Sequence, residues 1–148
     1  MDGDLQAIAM DEGISPASTE GAGAWLFWPA TIRVHRLTSI TRDDGGAPAV
    51  DLRVEALDRL GESTRAVGTF VVELSAVGAD PVTTRWRVEI GSLEAHRARF
   101  DPVTDTYRFE IAPSWRRPPE AGSALALRVI LFAADGSMLE ATANLRWP

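Results

Sequence analysis

Tryptophan and arginine are the side chains of this sequence best suited to hold a ligand. Trp25, Phe27 and Trp28 stand close together, and Trp115-Arg116-Arg117-Pro118-Pro119 sets an aromatic ring beside two guanidinium groups in a segment that proline keeps extended. Flat aromatic faces stack on sugar rings or peptide side chains, and arginine adds a rigid fork of hydrogen-bond donors. Exposed together, Trp28, Trp115, Arg116 and Arg117 make a platform for carbohydrate or peptide. The plainer alternative, favoured by how often tryptophan is largely buried, is that these rings close the ends of a core.

The other reactive residue types form weaker constellations. His35 and His96 are the only histidines and have no histidine or cysteine near them in sequence, so a metal would need distant carboxylates, and no nucleophile-elbow pattern accompanies them. A surface or helix-end position is the expectation for both. Asp43, Asp44, Asp101, Asp105 and Asp135 all fall in turn-like segments. Loop aspartates at one end of a sandwich bind calcium in C2 domains, which need six to eight converging oxygens, but turns select aspartate for backbone reasons as well. The pairs Arg53/Glu55, Arg87/Glu89 and Arg108/Glu110 could supply a glycosidase's two carboxyl groups only in a cleft that raises one pKa. With an arginine two residues from each glutamate, a solvated cross-strand charge ladder is the stronger reading.

What must position these groups is a set of strands. From Ala30 onward the dominant hydrophobic period is two, as in strands with one buried face. Thr31–Thr41 reads as a first strand with a phase break before Leu37 that marks a bulge. Val50, Leu52, Val54 and Ala56 alternate inward along the second, and Asp58–Ser63, with Gly61, reads as a hairpin into a third carrying Phe70, Val72 and Leu74. Val82, Thr84, Trp86, Val88 and Ile90 share a face of the fourth, with Trp86 expected to be buried in a central strand. Ser92 caps a short helical turn to about Arg99, with Leu93, His96 or Arg97, and Phe100 along one stripe, and Asp101-Pro102 stops it. Tyr107, Phe109 and Ile111 form the inner face of the fifth strand, and Pro113–Ser123 is an irregular connection. Ala124–Ala133 and Met138–Trp147 are the sixth and seventh, joined at Asp135-Gly136, a strong hairpin signal. Seven such strands with one short helical turn imply an all-β antiparallel sandwich.

Composition narrows the function. The chain has no cysteine, which removes disulfides, thiolate metal sites and a catalytic thiol. Residues 1–24 hold Asp2, Asp4, Asp11, Glu12 and Glu20 and no base, and are poor in large apolar side chains, so they are expected to form a disordered acidic tail or linker, leaving 25–148 as the sandwich domain. They lack the charged start and long apolar run of an intact signal peptide. The remaining sixteen acids face fifteen arginines, a near-neutral balance that argues against a nucleic-acid surface, which needs a basic excess. The longest apolar run, Leu125 to Ala134, is broken by Arg128 and too short for a transmembrane segment.

With the strands placed, the chain resembles small immunoglobulin-like or transthyretin-like sandwich modules of exported bacterial proteins and lipoproteins. The resemblance spans about Trp25–Trp147 and rests on the strand rhythm, the Ala56–Gly61 hairpin region and the Phe100-Asp101-Pro102-Val103-Thr104 turn before Tyr107. Together with the linker-like first 24 residues, the lack of a catalytic constellation and the near-neutral sandwich, it leads to the expectation of a non-enzymatic, extracytoplasmic binding or structural module with no cofactor, in the periplasm or cell envelope and held there by its flexible tail. Its partner would be a protein or glycan, and lipid tethering upstream of Met1 would hold it in place. A carbohydrate- or peptide-binding sandwich is the alternative, a calcium-dependent C2-like module a lesser one, and a hydrolase the most distant.

Overall fold

Strict alternation of apolar and polar residues decides the architecture. The computed structural model describes Gly23, residues 25–81 and residues 84–148. Apart from Gly23, the acidic segment 1–24 lies outside the described residues, as do the positions of Val82 and Thr83. A 3₁₀ turn, Trp25–Phe27, leads into strands β1 (Thr31–Val34), β2 (Ser39–Arg42), β3 (Pro48–Leu57), β4 (Gly68–Ala76), β5 (Asp80–Pro81) and β6 (Arg85–Ile90). Helix α1 (Leu93–Arg99) follows, then β7 (Phe100–Asp101), β8 (Thr106–Ile111), β9 (Trp115–Arg117), β10 (Ala124–Ala133) and β11 (Met138–Arg146).

Two antiparallel sheets pack face to face as an all-β sandwich. One has the order β1-β3-β8-β7, with β2 also on β3, and the other the order β11-β10-β4-β6. Val50, Leu52 and Val54 of β3 and Tyr107 and Phe109 of β8 meet Phe70 and Val72 of β4 and Leu125, Leu127, Val129 and Leu131 of β10 in one core. Burying each such side chain contributes about 1.5–3 kcal/mol, so the period-two faces hold the sheets together. Phe70 touches both Tyr107 and Phe109 across the core, with ring centroids 5.5 and 5.1 Å apart.

The expected bulge in the first strand is a complete interruption. β1 and β2 both pair with β3, but His35–Thr38 loops out between them. His35 N donates to Arg53 O at 2.7 Å and Thr38 Oγ1 accepts from Arg53 N at 3.0 Å, so the loop stays pinned while Leu37 is exposed. The last hairpin forms as its sequence requires. Gly136 takes φ 93°, and the Asp135 carboxylate accepts from Ser137 N at 3.0 Å and from Ser137 Oγ at 2.6 Å.

Four expectations need correction. Asp58–Ser63 does not simply return the chain as a hairpin. Asp58 N donates to Glu62 O and Thr64 N to Ala56 O, but Arg65–Val67 then cross to the other sheet, because β4 belongs with β10 and β6. Trp86 is half-buried on β6, an edge strand, not buried in a central one. Leu93 is exposed, leaving His96 and Phe100 as the residues of the helical stripe that pack inward. Within Pro113–Ser123, Trp115–Arg117 form a short strand paired with Asp80–Pro81.

Candidate functional site

The crossing segment Arg65–Val67 lines two mostly apolar hollows. Tyr107 sits at the middle of β8 with its ring wholly buried, and its hydroxyl accepts from Ala66 N at 2.8 Å. The same oxygen lies 3.3 Å from Ala66 O and 3.1 Å from His96 Nδ1. Ala66 is itself buried, so this hydroxyl takes the place of water for a backbone group that left one sheet before joining the next. Gly68 completes the crossing at φ 150°, with the Phe132 carbonyl so close that a Cβ would lie 2.2 Å from its oxygen.

On one side of this segment the N-terminal turn folds back. Thr64 Oγ1 donates to Phe27 O at 2.5 Å and Ala30 N to Leu57 O at 2.8 Å, so Trp25–Pro29 is tied to the loop after β3. Phe27, Trp28 and Pro29 thereby line, with Arg65, Val67, Ala133, Ala134 and Asp135, an open groove of about 470 Å³. Trp28 and Phe27 are 49% and 59% exposed, far more than aromatic residues that merely close a core. The Arg65 guanidinium lies 4.0 Å above the Phe100 ring, and that of Arg59 lies 4.7 Å above Trp25. Stacking fixes each charge beside an aromatic surface while leaving its donors directed outward.

On the other side of Arg65–Val67, Ile90, Gly91, Ser92, Leu93 and His96 line a second, shallower hollow. Burial, and then the charges of Arg65 and Arg97, push the His96 pKa below the usual histidine value of 6.5. Burial pushes the Tyr107 phenol upward. Both groups are therefore neutral near pH 7, and their hydrogen bond joins two uncharged rings. The Ser92 hydroxyl is engaged as the cap of α1, accepting from Ala95 N at 3.1 Å.

The structure separates the four residues grouped by sequence. Trp28 lies beside Ala133 and the start of β4, whereas Trp115 pairs with Pro81 beyond the end of β4. Nine residues of strand separate those ends, roughly 26 Å at about 3.3 Å per residue. Trp115 packs edge-on against Trp147, centroids 5.5 Å apart, and its Nε1 is buried with no hydrogen-bond partner among the described residues. Arg116 reaches Asp80 at 3.3 Å, and Arg117 Nε donates to Gly78 O at 2.9 Å. Trp115 therefore helps close one end of the core, and Trp28 stands open at the other.

Three of the five turn aspartates, Asp43, Asp101 and Asp135, bond within their own turns. Asp43 Oδ1 accepts from Ala47 N, Asp101 from Val103 N, Thr104 and Arg53, and Asp135 from Ser137. Among the described residues no three histidine or acidic side chains gather as a metal would require. The Arg/Glu pairs join wider networks: Arg33 meets Glu55 and Arg108 meets Asp51, both at 2.8–2.9 Å, while Arg53 bridges to Asp101 at 2.9 Å. His35 Nδ1 accepts from Leu37 N within its loop. Two contributors escaped sequence reasoning. Arg65 and Val67 follow the expected Asp58–Ser63 hairpin and carry no signal of their own, and only their position between the two sheets gives them a role. Comparison with protein-family models, curated proteins and solved structures finds no match to this chain.

Proposed function

We propose that this chain is a non-enzymatic binding module that takes a peptide segment bearing an apolar or aromatic side chain in the groove between Trp28 and Val67. The observation that carries this reading is the lining. Phe27, Trp28, Pro29, Val67, Ala133 and Ala134 offer apolar surface, and Arg65 and Asp135 are the charged residues in the same lining. Binding sites of this kind bury an apolar anchor and fix its orientation with a few polar contacts. A sugar ring needs several free hydrogen-bonding groups around its stacking face. Here the polar side chains in the lining are those of Arg65 and Asp135, and Asp135 Oδ1 is already taken up by Ser137.

An extracytoplasmic setting, with attachment through a segment preceding the sandwich, belongs to the same proposal and rests on the acidic, linker-like composition of residues 1–24 and on the resemblance described above. Fractionation of the native protein tests that part separately.

The groove reading is tested by screening the full chain against a random peptide library and a glycan array, followed by tryptophan-fluorescence titration of the best peptide. Enrichment of peptides with an aromatic or large aliphatic residue, and a loss of tenfold or more in affinity for Trp28→Ala, is the expected result. Glycan binding without peptide binding, or peptide affinity unchanged in Trp28→Ala and Val67→Ser, would overturn it.

A further inference from the structure

The outer face of the four-stranded sheet carries a charge pattern that the groove does not use. Across its central pair, Arg128 of β10 lies opposite Glu73 of β4, Ile130 opposite Val71, and Ala126 opposite Ser75. On the flanks, Arg85 pairs with Glu73 and Arg87 with Val71, while Thr142 pairs with Arg128 and Glu140 with Ile130. Arg128 bridges Glu73 at 3.1 Å and Glu140 at 2.5 Å, and Arg85 also pairs with Glu73, so charges of alternating sign run across all four strands. The side chains of Arg85, Arg87, Arg128, Glu140, Thr142 and Ala126 are exposed, and a shallow trough of about 480 Å³ runs between small residues at Ser75, Ala126 and Asn144.

We propose that this face associates with the same face of a second copy of the chain, about a two-fold axis parallel to the strands and lying between β4 and β10. Face-to-face association of identical surfaces requires an axis in the plane of contact. An axis along the rows lays each charge on itself, Arg85 on Arg85. The axis parallel to the strands exchanges β10 with β4 and β11 with β6. Arg128 of one copy then lies over Glu73 of the other and Glu140 over Arg87, each contact occurring twice, while Ile130 and Val71 are already covered within each copy. Charge complementarity of this kind sets register and excludes the wrong pairing.

The outer face of the five-stranded sheet fails the same test. Arg53 lies opposite Arg108 and Asp51 opposite Glu110, so the equivalent axis stacks like charges. Nine residues on each of β4, β10 and β11 and six on β6 give roughly 520 Å² per copy, or about 1,050 Å² in total, at about 3.3 Å per residue and about 4.8 Å per strand. That area is just above the roughly 1,000 Å² that a specific interface needs, so the dimer is expected to be concentration-dependent and to weaken with salt.

Sedimentation equilibrium of the full chain tests the pairing. The wild type should move from monomer to dimer as protein rises from micromolar to millimolar concentration. Arg128→Glu and Glu73→Arg, each checked for folding by circular dichroism, should each weaken dimerisation by tenfold or more. An equimolar mixture of the two should dimerise again, because each new charge then faces an opposite one and the natural Glu73 of one variant faces the natural Arg128 of the other. Ala126→Arg, which leaves the ladder intact, should block association on its own, and Glu110→Arg on the opposite sheet should leave it unchanged. A wild type that stays monomeric at about 1 mM, folded single variants that dimerise normally, or a mixture that fails to reassociate would each overturn the proposal.

Discussion

Replacing Tyr107 by phenylalanine removes the hydroxyl that joins Ala66 and His96 and leaves the ring's packing against Phe70 and Phe100 in place. The loss falls on the Ala66 N–H, which donates to that oxygen at 2.8 Å in a residue only 1% exposed, so water cannot replace the partner. A buried donor left unpaired costs about 1–3 kcal/mol. His96 Nδ1 also loses its contact at 3.1 Å, but it is only half-buried and its share is smaller. We therefore expect Tyr107→Phe to lower stability by about 2 kcal/mol, or roughly 4–8 °C in melting temperature for a chain of this size. Urea denaturation followed by circular dichroism measures it, with the m-value unchanged because the surface exposed on unfolding is the same. Because Ala66 lies between Arg65 and Val67, loosening it should also weaken peptide binding in the groove. Tyr107→Phe melting within 1 °C of wild type would refute the claim that this hydroxyl holds the crossing segment.

Gly68→Ala should be more severe, since the added Cβ would meet the Phe132 carbonyl oxygen at 2.2 Å and the Ala133 Cα at 2.9 Å, backbone atoms that cannot yield without parting β4 from β10; expression in the insoluble fraction, or a loss above about 3 kcal/mol by urea titration, is the outcome expected. His96 gives a pH dependence whose sign follows from its lowered pKa. Below pH 6.5 the unfolded chain takes up a proton that the folded chain resists, so this residue's contribution is complete above pH 6.5 and is lost as pH falls toward the folded value. Melting curves from pH 7.5 to 5 should show that decline in the wild type and a flatter profile in His96→Gln, and identical slopes would contradict it.

Legibility from sequence followed the range of the physics involved. Alternation is local, so the inner faces of β3, β10 and β11 and the Asp135-Gly136 hairpin were readable from neighbours alone. Edge position is not local. The alternation through Trp86 is the same in a central strand as on β6, and only the pairing order exposes the ring's far side. The Asp58–Gly61 turn carries every hairpin signal, and it does turn the chain back on Leu57. Nothing in those residues announces that Arg65–Val67 then change sheets, because the deciding contacts, the Tyr107 hydroxyl and the β10 register, lie more than forty residues away. The same limit explains the platform. Trp28 and Trp115 resemble each other in composition, but the length of β4 holds them apart. Val71 and Ile130 are 5% exposed on an outward face because they pair with each other beneath Arg87, Arg128 and Glu140, a cross-strand arrangement invisible before register is known.

The groove and the sheet face bear on one another through the direction of the two-fold axis. An axis parallel to the strands reverses the side of the sheet but preserves its ends. The Ala133–Asp135 hairpin of one copy therefore emerges at the same end of the dimer as that of its partner. Both grooves of the proposed dimer then open at one end of it. Two weak sites held in that relation bind a repeated or surface-displayed ligand with an effective concentration set by their spacing, and affinity rises without any new contact. An axis along the rows would send the grooves to opposite ends and forgo that gain. The charge order that selects the dimer's axis is thus the same feature that would make a modest apolar groove useful, and the Trp115 end, closed by Trp147, is left facing the other way.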